Sequence, residues 1–247
     1  MKILVTGGTG YIGSHTVVEL IKAGHEVTII DNLFNSKIEV LDKIATLTGT
    51  KPEFHKLDIL DLNGMRELFQ SHDFEAVIHF AGLKAVAESI EKPLEYYETN
   101  VQGTVNLLKC MAEFNVNKII FSSSATVYGS LNSGKLDESM TTGLCVTNPY
   151  GETKHVIEKI LEAEAIARPE LSVVILRYLT QSALMLPDFL VKIQMVSQTT
   201  LCQWSCVLLK VKSKNSRFMV MIMIPQTAPV SVITFTWLIS PRVISPL

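Results

Sequence analysis

"VTGGTGYIGS", Val5 to Ser14, joins an apolar run to an amphipathic one, and its glycines decide how the chain folds. Gly8, Gly10 and Gly13 are spaced as GxGxxG, and Gly7 adds a GxxGxxG reading. Ahead of them "KILVTG" reads as a strand, and behind them "YIGSHTVVELIKAG" has helical period. Glycine in such a turn permits the tight reversal, lets backbone approach a pyrophosphate and packs the helix close to the sheet. The helix N-terminus then offers free N–H groups and positive dipole to phosphate oxygens. A lone GxGxxG says little, but this one sits between a strand and a helix. The plainer reading of the same residues is a glycine-rich turn and a solvated aspartate. Asp31 argues against it. It closes the next strand-like run, "HEVTIID", where a carboxylate can take the adenosine ribose hydroxyls and would repel a 2′-phosphate. NAD is therefore expected over NADP.

Outward from this turn, short β-rich runs alternate with helical segments. The strands are "KILVTG", "HEVTIID", "EFHKLDI", "AVIHFAG", "KIIFSSS" and "LSVVILRY"; helical period appears in "LNGMRELFQS" and the long "PLEYYETNVQGTVNLLKCMAEFN". Runs apolar on both faces, separated by amphipathic helices, predict an α/β fold with a doubly wound parallel sheet covered on both sides. The net charge of −2 and the lack of a Lys/Arg-rich run give no case for nucleic-acid binding. Cys110, Cys145, Cys202 and Cys206 form no CxxC pair and no zinc spacing, so no metal is expected and the thiols read as reduced, in the cytoplasm. "MKILVTGG" is too soon broken by glycine for a signal peptide. Residues 218–241 lack charge over a span long enough for a membrane helix, but Pro225 and Pro229 interrupt them, and no membrane partner is expected.

The chemistry lies further on. In "NPYGETKHVIEKI", Tyr150 and Lys154 stand four residues apart on a predicted helix, hence on one face. A phenol with its ordinary pKa near ~10 is a poor base at neutral pH. A neighbouring ammonium and a cationic nicotinamide would both favour the phenolate. Such a pair is common on exposed helices. Here it follows a dinucleotide turn, and Ser122, Ser123 and Ser124 end the fifth strand, where parallel sheets place their ligands.

"TGGTGYIGS", "HFAGLKAVAES", "FSSSATVYG" and "NPYGETK", in this order, resemble the extended short-chain dehydrogenase/reductases, a Rossmann family. "FAGLKAVAESIEKPLEYYETNVQGT" is similar to the UDP-glucose 4-epimerases among them. The resemblance implies bound NAD and interconversion of UDP-glucose and UDP-galactose, a step of galactose metabolism, by a protein that is a homodimer in the intact family. It implies Tyr150 as the group exchanging the proton of the sugar 4-hydroxyl, Ser124 bonding the reacting oxygen, and Lys154 holding the nicotinamide ribose. Gly7, Gly10, Tyr11, Ile12 and Gly13 would meet the pyrophosphate, Asp31 and Asn32 the adenosine ribose, Asp58 and Ile59 the adenine. Phe80, Ala81, Lys84, Asn100 and Ser122 would line the cofactor, with Lys84 also reaching substrate. His15, His25 and His79 match nothing catalytic and read as structural or exposed. Related dehydratases carry Asp-Glu after the threonine that follows this serine strand; here Val127 and Tyr128 follow Thr126, which argues against dehydration.

The resemblance covers residues 1–178 and stops at Leu179. Beyond it the chain has one carboxylate, Asp188, against six basic residues, whereas acids outnumber bases before it. Family members continue "LRYFNPVGAH" where this chain has "LRYLTQSALM". Codons TTT AAC CCA GTC GGC GCT, losing one base, become TTA ACC CAG TCG GCG CT and read Leu-Thr-Gln-Ser-Ala-Leu. The same shift turns a family-like "YGNDYDTP" into "MVMIMIP", Met219 to Pro225. Two domains are thus expected: an NAD-binding unit at 1–178, and a frameshifted, non-native and disordered tail at 179–247 in place of the substrate subdomain. Two other functions stay open, a catalytically dead NAD-binding protein and an epimerase for another UDP-sugar such as UDP-glucuronate or a UDP-pentose.

Overall fold

A computed structural model describes residues 1–130, 136–180, 204–213, 216–225 and 230–237, with only the backbone described from 179 on. Six strands appear where the apolar runs predict them: β1 (Lys2–Thr6), β2 (Glu26–Asp31), β3 (Glu53–Lys56), β4 (Ala76–His79), β5 (Lys118–Ser124) and β6 (Ser172–Thr180). All pair in parallel in the order β3-β2-β1-β4-β5-β6. The chain reverses its direction of travel across the sheet between β1 and β4. The carboxyl ends of these two strands therefore open a crevice at the switch point.

Helices α1 (Tyr11–Lys22), α2 (Val40–Thr48) and α3 (Leu62–Ser71) follow the first three strands. On one side of the sheet, Val17, Leu20, Leu41 and Ile44 pack against Ile3, Val5 and Ile29. On the other, Met65, Leu68, Leu107, Met111, Ile157 and Leu161 cover Leu4, Val77, Ile119 and Val173. The strands are apolar on both faces because both faces are covered. The short α4 (Val86–Glu91) and α5 (Pro93–Tyr96) lead to α6 (Gly103–Glu113), and α7 (Pro149–Ala167) precedes β6. The segment from Pro93 predicts one continuous helix. Instead a π-helical turn, Tyr97–Gln102, separates α5 from α6. Such turns recur at functional sites.

Three more stretches of strand backbone lie where the sequence predicts disorder. β7 (Trp204–Ser213) and β8 (Ser216–Pro225) form an antiparallel pair, and β9 (Val230–Trp237) runs parallel to β6. The remainder of 181–247 lies outside the described residues. Among the described residues no helix is long and apolar enough to cross a membrane.

One buried ion pair ties the helical cover to the sheet. Glu158 of α7 accepts two bonds from Arg177 of β6, at 3.1 and 2.7 Å, and a third from the Ser123 hydroxyl of β5. The side chains are only 1% and 5% exposed, and Arg177 also lies 5.0 Å over the Tyr128 ring. Removing one partner leaves an uncompensated charge in the interior. Glu158→Leu should lose about 3–5 kcal/mol in urea unfolding, whereas Glu158→Leu with Arg177→Met should lose much less. Equal losses would show that the pair is not a coupled unit.

Candidate active site

A cavity of about 580 Å³ opens at the carboxyl ends of the strands, floored by the glycine turn and walled by β2, β4, β5 and α7. Gly7 leaves β1 with φ +69, and its N–H donates to Ile30 O at 2.8 Å. A Cβ on Gly7 would stand 2.7 Å from Ala81 N, and one on Gly13 would collide with the Gly7 carbonyl. These two glycines are required by the protein itself. Gly10, the N-cap of α1, is different: a Cβ there would meet only Gly7 O, at 3.2 Å. Its missing side chain leaves room in the cavity beside free N–H groups of the first helical turn, a shape that fits a pyrophosphate.

Asp31 is 9% exposed at the end of β2. Its carboxylate accepts from Thr9 N at 3.3 Å, Leu33 N at 2.9 Å and Ser36 Oγ at 3.0 Å. These bonds fix its orientation at the cavity edge. Asn32 donates to Asp58 at 2.8 Å, joining the ends of β2 and β3, and Ile59 follows on the same wall. Tyr11, Ile12, Phe80, Ala81, Lys84 and Ser122 also border the cavity.

Asn100 occupies a different place. It is 1% exposed, behind the loop that follows β4 rather than on the cavity wall. Its amide accepts from Leu83 N at 2.7 Å and donates to Leu83 O at 3.0 Å and Thr153 Oγ1 at 3.1 Å. The π-helical turn aims it there, so Asn100 shapes the loop carrying Gly82 and Lys84.

Lys154, Tyr150 and the serines converge as their spacing predicts. Asn148 caps α7 by accepting from Gly151 N at 2.8 Å, which places Tyr150 in the first turn and Lys154 one turn on. Lys154 is 5% exposed, donates to Ser122 O at 2.8 Å and stands 4.7 Å over the Phe121 ring. Burial pulls its pKa from 10.5 down to about 8, while the Glu158 carboxylate pulls upward. Tyr150 departs from expectation. Burial raises the phenol above its ordinary value, and a hydrogen bond with Ser124 pulls it only partly back. The ammonium expected to lower it is committed to Ser122 O and lies 6.0 Å from the Tyr150 ring centroid.

Thr126 completes the site and was not read from the sequence as part of it. Its N–H and hydroxyl both donate to Ser124 Oγ, at 3.2 and 3.0 Å. With its lone pairs so engaged, Ser124 has its own proton to give to Tyr150 or to a reacting oxygen. A threonine two residues past a strand end was the only signal available. Tyr178, from the end of β6, also borders the cavity. His79 is structural: Thr6 and Thr104 hydroxyls occupy its ring nitrogens at 2.6 and 2.9 Å, and burial, then Lys154, takes its pKa to about 3.

Residues 3–182 match the NAD dependent epimerase/dehydratase family. The chain belongs to this family. Among curated relatives, the UDP-glucose 4-epimerase of Yersinia enterocolitica is 50% identical over 178 residues, covering 72% of this chain and 53% of that protein. A UDP-glucose 4-epimerase structure from Stenotrophomonas maltophila, with bound NAD and formylated UDP-arabinopyranose, aligns with TM-score 0.69 and 46% identity over 72% of this chain and 52% of that one. One from Bifidobacterium longum, in complex with NAD+ and UDP, gives 0.70 and 44% over 72% and 53%. The chain spans about half the length of the curated relatives it matches.

In this family member the folded chain holds the Lys154 proton less tightly than the unfolded chain does. Between pH about 8 and about 10.5 the unfolded state therefore binds more protons, and stability rises with pH across that window. The shift corresponds to roughly 3 kcal/mol. Lys154→Met should exceed the parent in stability at about pH 7 and lose that advantage by about pH 10. Chemical unfolding at the two pH values tests this; a pH-independent difference would remove the buried ammonium as its cause.

Proposed function

We propose that the folded part of this chain binds NAD and carries the proton-transfer groups of a UDP-glucose 4-epimerase, the enzyme interconverting UDP-glucose and UDP-galactose through a 4-keto sugar. The observation that carries this reading is convergence: Ser124, Tyr150 and Lys154 share one cavity with Asp31 and the glycine turn. The pyrophosphate fits the space at Gly10, the adenosine ribose fits Asp31, and the nicotinamide ribose falls to Lys154. The bound dinucleotide supplies hydride acceptance and return at the sugar C4.

The chain's own residues manage the proton. Tyr150 takes the 4-hydroxyl proton as the carbonyl forms and gives it back when the carbonyl is reduced on its other face. Ser124, its lone pairs engaged by Thr126, donates to the reacting oxygen as it passes between hydroxyl and carbonyl. Burial holds Tyr150 protonated without cofactor. Positive charge in the cavity is what would lower it, so the base becomes competent only with NAD present. The setting is cytoplasmic, and a homodimer is carried over from the intact family.

Residues 179–247 are best accounted for as a shifted reading frame replacing the region that holds the uridine diphosphate. The end of the family match at 182, well inside the chain, supports this. Strand backbone there requires no selected fold. Without β9, β6 would present a row of unpaired backbone groups, and the uncharged run "VSVITFTW" is a ready partner for such an edge. A second reading follows from the same observations: the chain binds NAD but does not turn over. An epimerase for another UDP-sugar is the remaining alternative.

Calorimetry should show the chain binding NAD and not UDP-glucose. Gly10→Val should abolish NAD binding while leaving unfolding nearly unchanged, because its side chain enters the cavity rather than the core. Micromolar UDP-glucose binding would contradict the missing sugar half, and unaltered NAD affinity in the variant would move the pyrophosphate elsewhere.

Conversion of UDP-galactose to UDP-glucose should be undetectable with this chain and restored when the frame after Tyr178 is restored. Orientation by a remote group can supply ~7–11 kcal/mol of a barrier. Losing half of that costs roughly three orders of magnitude in rate. Tyr150→Phe in the restored protein should remove most turnover while NAD stays bound. Normal turnover by the present chain, or by Tyr150→Phe, would overturn the corresponding assignment.

A further inference from the structure

At the far edge of the sheet, Glu53 and His55 lie two residues apart on β3 and so face the same way. His72, directly after α3, meets them there. His55 Nε2 lies 3.0 Å from Glu53 Oε1, and His72 Nε2 lies 3.1 Å from that oxygen and 3.2 Å from Oε2. One ligand atom from each side chain falls within 4.8 Å of the others.

The proton positions on His72 make this cluster unusual. Its Nδ1 sits 3.0 Å from Leu68 O, which can only accept, so Nδ1 carries a proton. The Ser71 hydroxyl donates to the same carbonyl and presents its oxygen to Nδ1 at 2.9 Å. A neutral ring then has its lone pair on Nε2, aimed at a carboxylate. Two electron pairs facing each other at that distance require a positive centre between them, either a proton or a metal ion. A backbone carbonyl holding Nδ1–H is also what fixes the tautomer of a metal-bound imidazole. The rings are held in place: His72 stacks on Phe74 at 5.1 Å and 3°, and His55 meets His72 edge-on at 5.6 Å. Thr28 Oγ1 lies 3.4 Å from Glu53 Oε2 and orients the carboxylate.

We propose that Glu53, His55 and His72 form a binding site for a divalent transition metal of the zinc class. Two imidazoles and one carboxylate suit Zn²⁺, Ni²⁺ or Cu²⁺ and not the oxygen-preferring Mg²⁺ or Ca²⁺. Bonds of about 2.0–2.2 Å in tetrahedral geometry require each imidazole nitrogen to stand only slightly further from the carboxylate than the 3.0–3.2 Å found here. With side chains 19–48% exposed, the ion has an open path and water can complete its coordination. Nothing in the sequence marks the site, because its ligands come from a strand and a helix end with no metal-ligand spacing. Among the described residues β3 pairs only with β2, so an ion here would clip the sheet's edge strand to α3. It would also steady the segment leading to Asp58 and Ile59 on the cavity wall.

The probe is Zn²⁺ added to the metal-free full chain, followed by calorimetry and thermal unfolding, with Co²⁺ as a coloured substitute. One Zn²⁺ should bind and raise the unfolding temperature, Mg²⁺ should do neither, and Co²⁺ should give the intense visible bands of tetrahedral coordination. His72→Gln and, separately, His55→Gln should each weaken Zn²⁺ on the order of a hundredfold, with NAD binding as the check that each variant is folded. His15→Gln, on the exposed face of α1, should bind as the parent does. Zn²⁺ binding that persists in His55→Gln/His72→Gln, or no binding by the parent, would overturn the site and leave the cluster a protonated histidine–glutamate contact.

Discussion

A buried ammonium at Lys154 sets the terms for everything around it. Its charge is held 5% exposed among β5, the Phe121 ring and α7, and the interior must compensate for it. A single carbonyl, Ser122 O, takes its hydrogen bond. The nearby carboxylate, Glu158, lies one turn further along α7 but is already bonded by Arg177 and Ser123. Lys154 thus feels Glu158 at a distance while Arg177 holds it directly. Placing β6 beside β5 is what lets Arg177 reach across to α7. Strand order, helix register and the site's electrostatics are therefore one constraint. This buried lysine lowers stability at neutral pH, and the Glu158–Arg177 pair fixes α7 so that Lys154 stays in place.

Most of the fold was legible because its signals are local. A strand apolar on both faces, a glycine turn and a helical period each need only a short window, and six strands and the helices α1, α3, α6 and α7 follow from them. The convergence of Tyr150 with Lys154 was legible too, since four residues on a helix is a distance. What required three dimensions was the direction of each bond. Spacing puts Lys154 near Tyr150 but cannot show how deeply the phenol is buried, and in the chain alone that burial raises its pKa. The pattern from Pro93 does not reveal a π-helical turn, because one inserted residue offsets the apolar stripe by only one position, too little to separate from ordinary irregularity in a helix this short. Asn100 consequently turns from the cavity to the loop backbone. Thr126 illustrates the same limit, since its contribution is a lone pair occupied on Ser124.

The two edges of the sheet pose a single physical problem with different answers. β3, four residues long, ends one side and carries Glu53, His55 and Lys56, charged or titratable groups that discourage another strand from adding. β6 is central in character, apolar from Val173 to Leu176, and would expose a long row of unpaired N–H and C=O groups if it ended the sheet. β9 meets it in unbroken parallel register from Val173 with Val230 to Thr180 with Trp237. A strand of β-branched and aromatic residues with no charge is what such an edge selects, whatever its origin. Backbone pairing does not discriminate among sequences; side-chain packing and charge do. The proposed shift of frame, turning aspartate codons into isoleucine, methionine and threonine codons, would remove that discrimination while raising β propensity. A tail so produced would close the sheet edge without supplying a ligand site, because closing an edge needs hydrogen-bonding backbone and little more, whereas binding a ligand needs particular side chains at particular positions.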